Sequence, residues 1–292
     1  MNALSELNPI AAFLWLLSAA GVAMFCVNPL VLSISLAGAL FYLYARRPDA
    51  GLRAILPYLC VALLSAIVNP LFVHNGASVL FVLNDNPVTL EAAYYGLCLG
   101  GVIASALCWF LSFQQIMTSD KLLYIFGSAL PKLTLMLSIA LRYVPLLRQQ
   151  ARRVRDAQRA MGLFREENMI DRLRGELRIF SVLVTWALEN GIVTADSMCA
   201  RGYGVGRRTR FALFRFRRRD ALACSACVLL AGLSVAGVAL GQLSCAFYPR
   251  FVLAQPGAIG CAAYVSYALL ALAPGLLEVE EKIRWKSLQP KI

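Results

Sequence analysis

Histidine is almost missing from this chain: His74 is the single one, and Asp and Glu together number 16 in 292 residues. A lone histidine in Val73-His74-Asn75-Gly76, with Asp85 the nearest acid along the sequence, reads as a solvated loop residue rather than a general base or metal ligand. Also absent are the Gly-x-Ser-x-Gly elbow, the GxxxxGK[ST] phosphate loop and the HExxH metal pair. Gly202-Tyr203-Gly204-Val205-Gly206 is glycine-rich, but it follows a helical pattern where a phosphate cradle must precede a helix. Little in the chain supports chemistry of its own, and it carries no nucleotide-binding motif. The reading is therefore of a protein that is not an enzyme and binds no cofactor itself.

What the chain has in abundance is apolar sequence, 60% of all residues, far more than a soluble core of this size consumes. The apolar residues fall into six blocks near the length that crosses a bilayer: Ile10–Val27, Leu30–Tyr44, Ile55–Val73, Leu90–Phe113, Ala221–Leu243 and Gly257–Leu277. The second is short. The first lacks an arginine-rich leader and a small-residue cleavage site, so it is expected to be a retained span. The fold class expected is an all-α polytopic membrane protein with about six transmembrane helices.

The net charge of +12 invites a nucleic-acid reading, and its placement rejects it. With the N-terminus cytoplasmic, the external segments would be Asn28-Pro29, residues 74–89 and residues 244–256. Arg250 is then the one basic residue outside, and the other 27 of 28 Lys and Arg lie on the cytoplasmic side. Both termini are expected to be cytoplasmic. Nine cysteines would suggest disulfides in a small secreted chain, yet Cys26, Cys60, Cys98, Cys108, Cys224, Cys227 and Cys261 sit within apolar blocks as small hydrophobes. The Cys224/Cys227 pair lacks a second pair or a nearby histidine, so a metal role is not expected. Gly96-xxx-Gly100 and Gly237-xxx-Gly241 have the spacing of close helix contacts, with packing inside this chain favoured over docking of another membrane protein. Glu91, at the start of the fourth block, is the nearest thing to an intramembrane acid, which counts against an ion-coupled transporter.

Three regions follow: residues 1–117 with four spans, residues 118–219 rich in charge, and residues 220–292 with two spans and a basic tail. The middle region holds 20 Lys or Arg against eight Asp or Glu, with apolar residues at helical spacing. A short helix is expected over about Asp120–Leu130. A second runs from Lys132 to about Met161, with Pro145 expected to kink or restart it and Arg148, Arg152, Arg153, Arg155 and Arg159 following. A third runs over about Met169–Ala200, with Arg172, Arg174 and Arg178 near its start. Charges at this density suit amphipathic helices at the cytoplasmic face better than membrane spans. The cluster Arg207, Arg208, Arg210, Arg215, Arg217, Arg218 and Arg219 suits anionic lipid headgroups.

The two long runs end alike, Ala160-Met161-Gly162 in one and Ala200-Arg201-Gly202 in the other. A glycine after a helix is a common stop, and Arg201 at the negative end of a helix gains about 0.3–1 kcal/mol. A planar guanidinium on a rigid helix end is also suited to paired hydrogen bonding with an acidic groove.

Leu7-Asn8-Pro9, Asn69-Pro70-Leu71-Phe72 with Gly76 and Leu80-Phe81, Ala140-Leu141-Arg142-Tyr143-Val144-Pro145, Ala157-Gln158-Arg159-Ala160-x-Gly162, Ala200-Arg201-Gly202-Tyr203 and Arg208-Thr209-Arg210 occur in this order. In them the chain resembles the transmembrane T component of energy-coupling factor (ECF) transporters, the family that includes the cobalt-transport Q subunit. The resemblance implies an importer of vitamins or metal micronutrients in a bacterial or archaeal cell membrane. Long cytoplasmic coupling helices between spans four and five would end in two Ala-Arg-Gly motifs docked on two ABC-type ATPase subunits. ATP and Mg would bind in those subunits, and a membrane-embedded S component would select the cargo. The docking residues implied are Arg159, Ala160, Met161 and Gly162 in one motif, and Ala200, Arg201 and Gly202 in the other. Met161 departs from the usual arginine, and neither Arg159 nor Arg165 would point the same way from the helix. Cys199 stands where many relatives have Glu. The unequal motifs point to two different ATPase chains. The competing readings are a membrane-embedded enzyme or stand-alone permease, and a lipid-binding scaffold.

Overall fold

The computed structural model describes residues 7–46, 48–73, 76–83, 86–127, 129–163, 169–206, 214, 216–248, 251–253 and 257–288. Its helices are α1 (Pro9–Phe25), α2 (Pro29–Arg46), α3 (Pro48–Phe72), α4 (Leu90–Ile116), α5 (Ser119–Phe126), α6 (Pro131–Ala160), α7 (Met169–Ala200), α8 (Arg218–Ala239) and α9 (Ala258–Leu288). Two small antiparallel hairpins, β1 (Val79–Leu83) with β2 (Asn86–Thr89) and β3 (Cys245–Ala246) with β4 (Val252–Leu253), fill connections expected only to be loops.

Each of the six apolar blocks forms a helix. Two of them start by the same local device, an Asn-Pro pair. Asn8 Oδ1 accepts from Ile10 N at 3.1 Å and Asn28 Oδ1 from Leu30 N at 2.9 Å. Each asparagine satisfies an orphan amide while the proline, which has none to lose, fixes the first helical φ. Five helical stretches are long and apolar enough to cross a membrane: Pro29–Arg46, Leu90–Ile116, Met169–Ala200, Arg218–Ala239 and Ala258–Trp285. Pro9–Phe25 and Leu56–Phe72 are shorter apolar helices. The chain is thus a multi-pass membrane protein. The inclusion of α7 differs from the sequence expectation. Its three arginines gather in the first third of the helix, leaving an apolar remainder.

The chain divides into two compact units, Met1–Leu122 with Phe214–Ile292, and Leu123–Leu213. The first is held by side chains that bond across the bundle at buried positions. Trp15 Nε1 donates to Leu270 O at 2.9 Å, Trp109 Nε1 to Ser35 Oγ at 3.0 Å, and Tyr267 Oη to Ala19 O at 3.2 Å. Small residues bring backbones together, as membrane helices require when lipid is as apolar as leucine. A Cβ on Gly100 would lie 2.6 Å from Ala62 O, and one on Gly96 would lie 2.9 Å from Ser65 O. The first glycine pair therefore packs α4 on α3 inside the chain. The second pair is two separate things. Gly237 packs on Ala263, whereas Gly241 lies in open space at φ 71 and stops α8.

Other polar side chains of this unit bond between its elements in the same way. Asn69 Nδ2 donates to Ala92 O at 2.8 Å and Ser65 Oγ to Gly96 O at 3.1 Å, riveting α3 to α4. Glu91 accepts from Ser78 N with both oxygens at 3.2 Å, so it anchors the incoming hairpin. Cys227 Sγ lies 3.2 Å from Ser18 Oγ, and both members of the Cys224/Cys227 pair are free thiols. In α5, Lys121 is buried. Loss of solvent pulls its ammonium pKa below the ordinary lysine value, and the positive charge of Arg46 adds to this.

Candidate functional site: two capped helix ends

In the second unit, α6 and α7 lie antiparallel. Tyr143 Oη is 2.8 Å from Thr194 Oγ1 and donates to Asn190 O at 3.1 Å. Twelve positions on in α6, Arg155 Nη2 pairs with Glu176 at 2.9 and 3.0 Å, eighteen positions back from Thr194 in α7. An advance along one helix thus matches a retreat along the other. The shared interior is small, with Gly175, Ile179 and Gln158 its buried residues. α6 is one continuous helix through Pro145, so the helix does not restart there.

The ends of both helices close by one hydrogen-bond pattern. At α6, Gly162 N donates to Arg159 O at 3.0 Å and Leu163 N to Gln158 O at 3.0 Å, with Gly162 at φ 68. At α7, Gly202 N donates to Cys199 O at 2.9 Å and Tyr203 N to Met198 O at 3.0 Å, with Gly202 at φ 81. This is the Schellman arrangement, in which a left-handed residue turns the chain back on its last carbonyls. No heavy atom lies within 4 Å of a Cβ built on either glycine, so conformation and not space requires glycine there. Met161 and Arg201 occupy the same cap position in the two ends.

Both ends are exposed. Residues 159–163 and 199–206 all face outward, with Met161 64% exposed. Because the helices run antiparallel, their C-terminal ends lie at opposite ends of the hairpin. From the Tyr143–Thr194 contact, 17 positions of α6 and six of α7 lead in opposite directions, which at 1.5 Å per residue separates the ends by about 35 Å. The structure therefore keeps Arg159 to Gly162 together, keeps Ala200 to Gly202 together, and sets the two groups apart.

The capping geometry by itself is not a signature of function. α8 ends in the same pattern, with Gly241 N donating to Val238 O at 3.0 Å and Gln242 N to Gly237 O at 3.1 Å. What distinguishes the ends of α6 and α7 is their opposed placement on one hairpin and the cap residue each presents, since the α8 cap residue Leu240 is 61% exposed and so matches Met161 in exposure. Sequence reasoning missed Tyr143 as the residue that fixes this hairpin, although it had singled out the segment around it. A half-buried tyrosine hydroxyl gains from a partner, and Thr194 and Asn190 lie one turn apart on the facing helix. His74, Asp85, Arg165, Arg207, Arg208, Arg210, Arg215 and Arg250 lie outside the described residues. Among the described residues, no group of three or more His, Cys, Asp or Glu is placed to hold a metal.

Residues 1–211 match the model of the cobalt transport protein family, CbiQ. A protein of Lacticaseibacillus paracasei named energy-coupling factor transporter transmembrane protein EcfT is 36% identical over 104 residues, 35% of this chain and 39% of that protein. A Listeria monocytogenes protein named EcfT 1 is 36% identical over 106 residues, 35% of this chain and 40% of its own length. A Streptococcus thermophilus protein named EcfT is 28% identical over 243 residues, covering 77% of this chain and 90% of its own length. The chain thus spans about two fifths of the first two relatives and most of the third.

Proposed function

The chain belongs to the cobalt transport protein family, and from that premise we propose that it is the transmembrane coupling subunit of an ATP-driven ECF-type importer of vitamins or metal micronutrients. It hydrolyses nothing itself. ATP and Mg bind in two ABC-type ATPase subunits, which seat on the ends of α6 and α7, and their motion passes along those helices to a membrane-embedded S component that holds the cargo. Arg159, Ala160, Met161 and Gly162 form one docking end, and Ala200, Arg201 and Gly202 the other.

One observation carries this reading. Two exposed helix ends with matching caps stand about 35 Å apart at opposite ends of one helical hairpin, a spacing that suits two separate sockets. A long helix is also the right part for transmitting a push, because its hydrogen bonds all run along the direction of load. The reading places residues 1–117 and 220–292 in the membrane, residues 118–219 and both termini on the cytoplasmic side, and the basic run after Gly206 among anionic headgroups. α7 then lies at the cytoplasmic face despite its apolar remainder. If it crossed the bilayer, it would carry Arg201, Arg217, Arg218 and Arg219 to the face opposite Arg148 to Arg159, against the positive-inside rule. A stand-alone permease driven by an intramembrane carboxylate finds no support in Glu91, whose oxygens are engaged by the backbone of Ser78.

The test is Arg201→Glu in the transporter expressed with its partners. Reduced retention of ATPase subunits and reduced cargo uptake, with normal membrane insertion, are expected. Wild-type, ATP-dependent uptake by that variant would refute docking through Arg201.

A further inference from the structure

Cys245 lies outside the apolar blocks, in β3 on the connection between α8 and α9. It is half-buried, with Ser244 and Ala246 exposed on either side, so its sulfur is open to a molecule arriving from solvent. Cys26, just past the end of α1, is buried. The two thiols meet around one fixed carbonyl: Leu243 O accepts from Asn28 Nδ2 at 3.0 Å and from Cys26 Sγ at 3.7 Å. Cys245 follows Leu243 by two residues, a step of about 7 Å at full extension. It is close enough to Cys26 for a charge on one sulfur to act on the other. Both are free thiols.

Resting on the orientation proposed above, which puts the connection between α8 and α9 outside the cell, we propose that Cys245 and Cys26 form an oxidation site, closing a disulfide by exchange with a soluble disulfide on the outer face. Disulfides form and persist in such a compartment. Cys245, as thiolate, attacks one sulfur of the incoming disulfide, and the other sulfur leaves as a thiol. Cys26 then gives up its proton to water and attacks Cys245 Sγ, releasing the donor's second sulfur. The two cysteines lose two electrons and two protons, and the donor leaves as two thiols. Cys98 is the other thiol near Cys245, in a cluster with Leu32 and Phe247. It lies eight positions into α4, about 12 Å from the helix start, whereas Cys26 stands at a helix end and is bonded to the connection itself. The bond ties the corner between α1 and α2 to the connection between α8 and α9. It closes a loop long enough to take much freedom from the unfolded chain.

The experiment treats the full chain with oxidised glutathione, which does not cross membranes, once in intact cells and once after purification in detergent. Remaining thiols are alkylated, and peptides are mapped without reductant. A linked pair containing Cys26 and Cys245 is expected from both samples. Oxidation is also expected to raise the thermal midpoint of the purified protein by about 5 °C or more, reversibly with reductant. Cys245→Ser should lose both the linked pair and the shift, and Cys98→Ser should keep both. A bond between Cys245 and Cys98, or glutathione left attached to Cys245 with no internal bond in either sample, would overturn the pairing and leave the orientation standing. So would a linked pair that leaves the midpoint unmoved, since the staple would then hold nothing. The Cys26–Cys245 bond in purified protein alone would support the pairing and overturn the orientation, because the oxidant in intact cells reaches only the outer face.

Discussion

The backbone amide of Asn8 donates to Oδ1 of Asp220 at 3.0 Å across 212 positions of sequence, and Oδ2 of the same carboxylate accepts from Arg217 N at 2.8 Å. One buried side chain thus ties the beginning of α1 to the beginning of α8, where the chain re-enters the bundle. Asn8 meanwhile uses its own side chain to cap α1. The Leu7-Asn8-Pro9 motif is therefore half of a clasp whose other half lies in a different part of the sequence.

Asp220→Ala is expected to lower the stability of the detergent-solubilised protein by about 1–3 kcal/mol, the cost of leaving buried backbone donors without an acceptor. Asp220→Asn keeps one carbonyl oxygen and is expected to lose less. Thermal unfolding of the three proteins in one detergent checks this. Equal midpoints for Ala and wild type would show that the clasp is not stabilising.

Gly76 stands at φ 151 where a Cβ would come within 2.6 Å of Glu91 Oε2 and 2.7 Å of Thr89 Oγ1. Gly76→Ala therefore meets both backbone strain and a collision. Strain of this kind costs on the order of 1–3 kcal/mol. The collision falls on the group that anchors Ser78, so the β1–β2 hairpin should loosen first. Faster hydrogen exchange at Ser78 and Leu90 than in wild type, with α6 and α7 unchanged, is the expected pattern; uniform exchange across the chain would contradict it.

Much of this was legible in the sequence because membranes leave few options. Blocks of about 20 apolar residues have to become helices, since only a helix satisfies its own backbone in lipid. The α7 boundaries, Met169 to Ala200, were visible from the charge pattern at one end and the glycine stop at the other. What sequence could not supply is pairing. Nothing local marks Asp220, Tyr143 or Glu91 as residues that bond across the fold, because these partners lie 212, 51 and 13 positions away. The same limit explains Gly241, which matched a packing spacing yet serves as a helix stop. Whether a glycine packs or turns depends on what stands opposite, and that is a tertiary fact. At the ends of α6 and α7, Met161 against Arg201 was visible at once, while their separation to opposite ends of a hairpin required the Tyr143 and Arg155 contacts.

Gly202→Ala is expected to act through conformation alone. The site is open, but an alanine at φ 81 costs about 1–2 kcal/mol, enough to unwind the cap and swing Arg201 away from the helix axis. Gly202→Asn should recover most of the loss, because asparagine tolerates the left-handed region. Retention of the ATPase subunits by each variant is the readout. Equal retention by Ala and Asn, both below wild type, would mean that the side chain and not the backbone is at fault.

Lys121 provides a dependence on pH whose sign is fixed by its surroundings. Burial, with Arg46 adding, depresses its pKa below the ordinary 10.5, so the folded protein holds this proton less tightly than the unfolded chain. A group of that kind lowers stability while it remains charged in the fold, and the penalty is relieved as pH climbs from its folded pKa up to 10.5. Other lysines and tyrosines titrate in the same range, so the informative quantity is the difference between wild type and Lys121→Met, which cannot titrate. Thermal midpoints measured in detergent from pH 8 to pH 10.5 should show wild type gaining on Lys121→Met as pH rises. A difference that stays flat would mean Lys121 has its ordinary affinity for the proton, and one that moves the other way would mean that a partner in the fold stabilises its charge more than burial destabilises it.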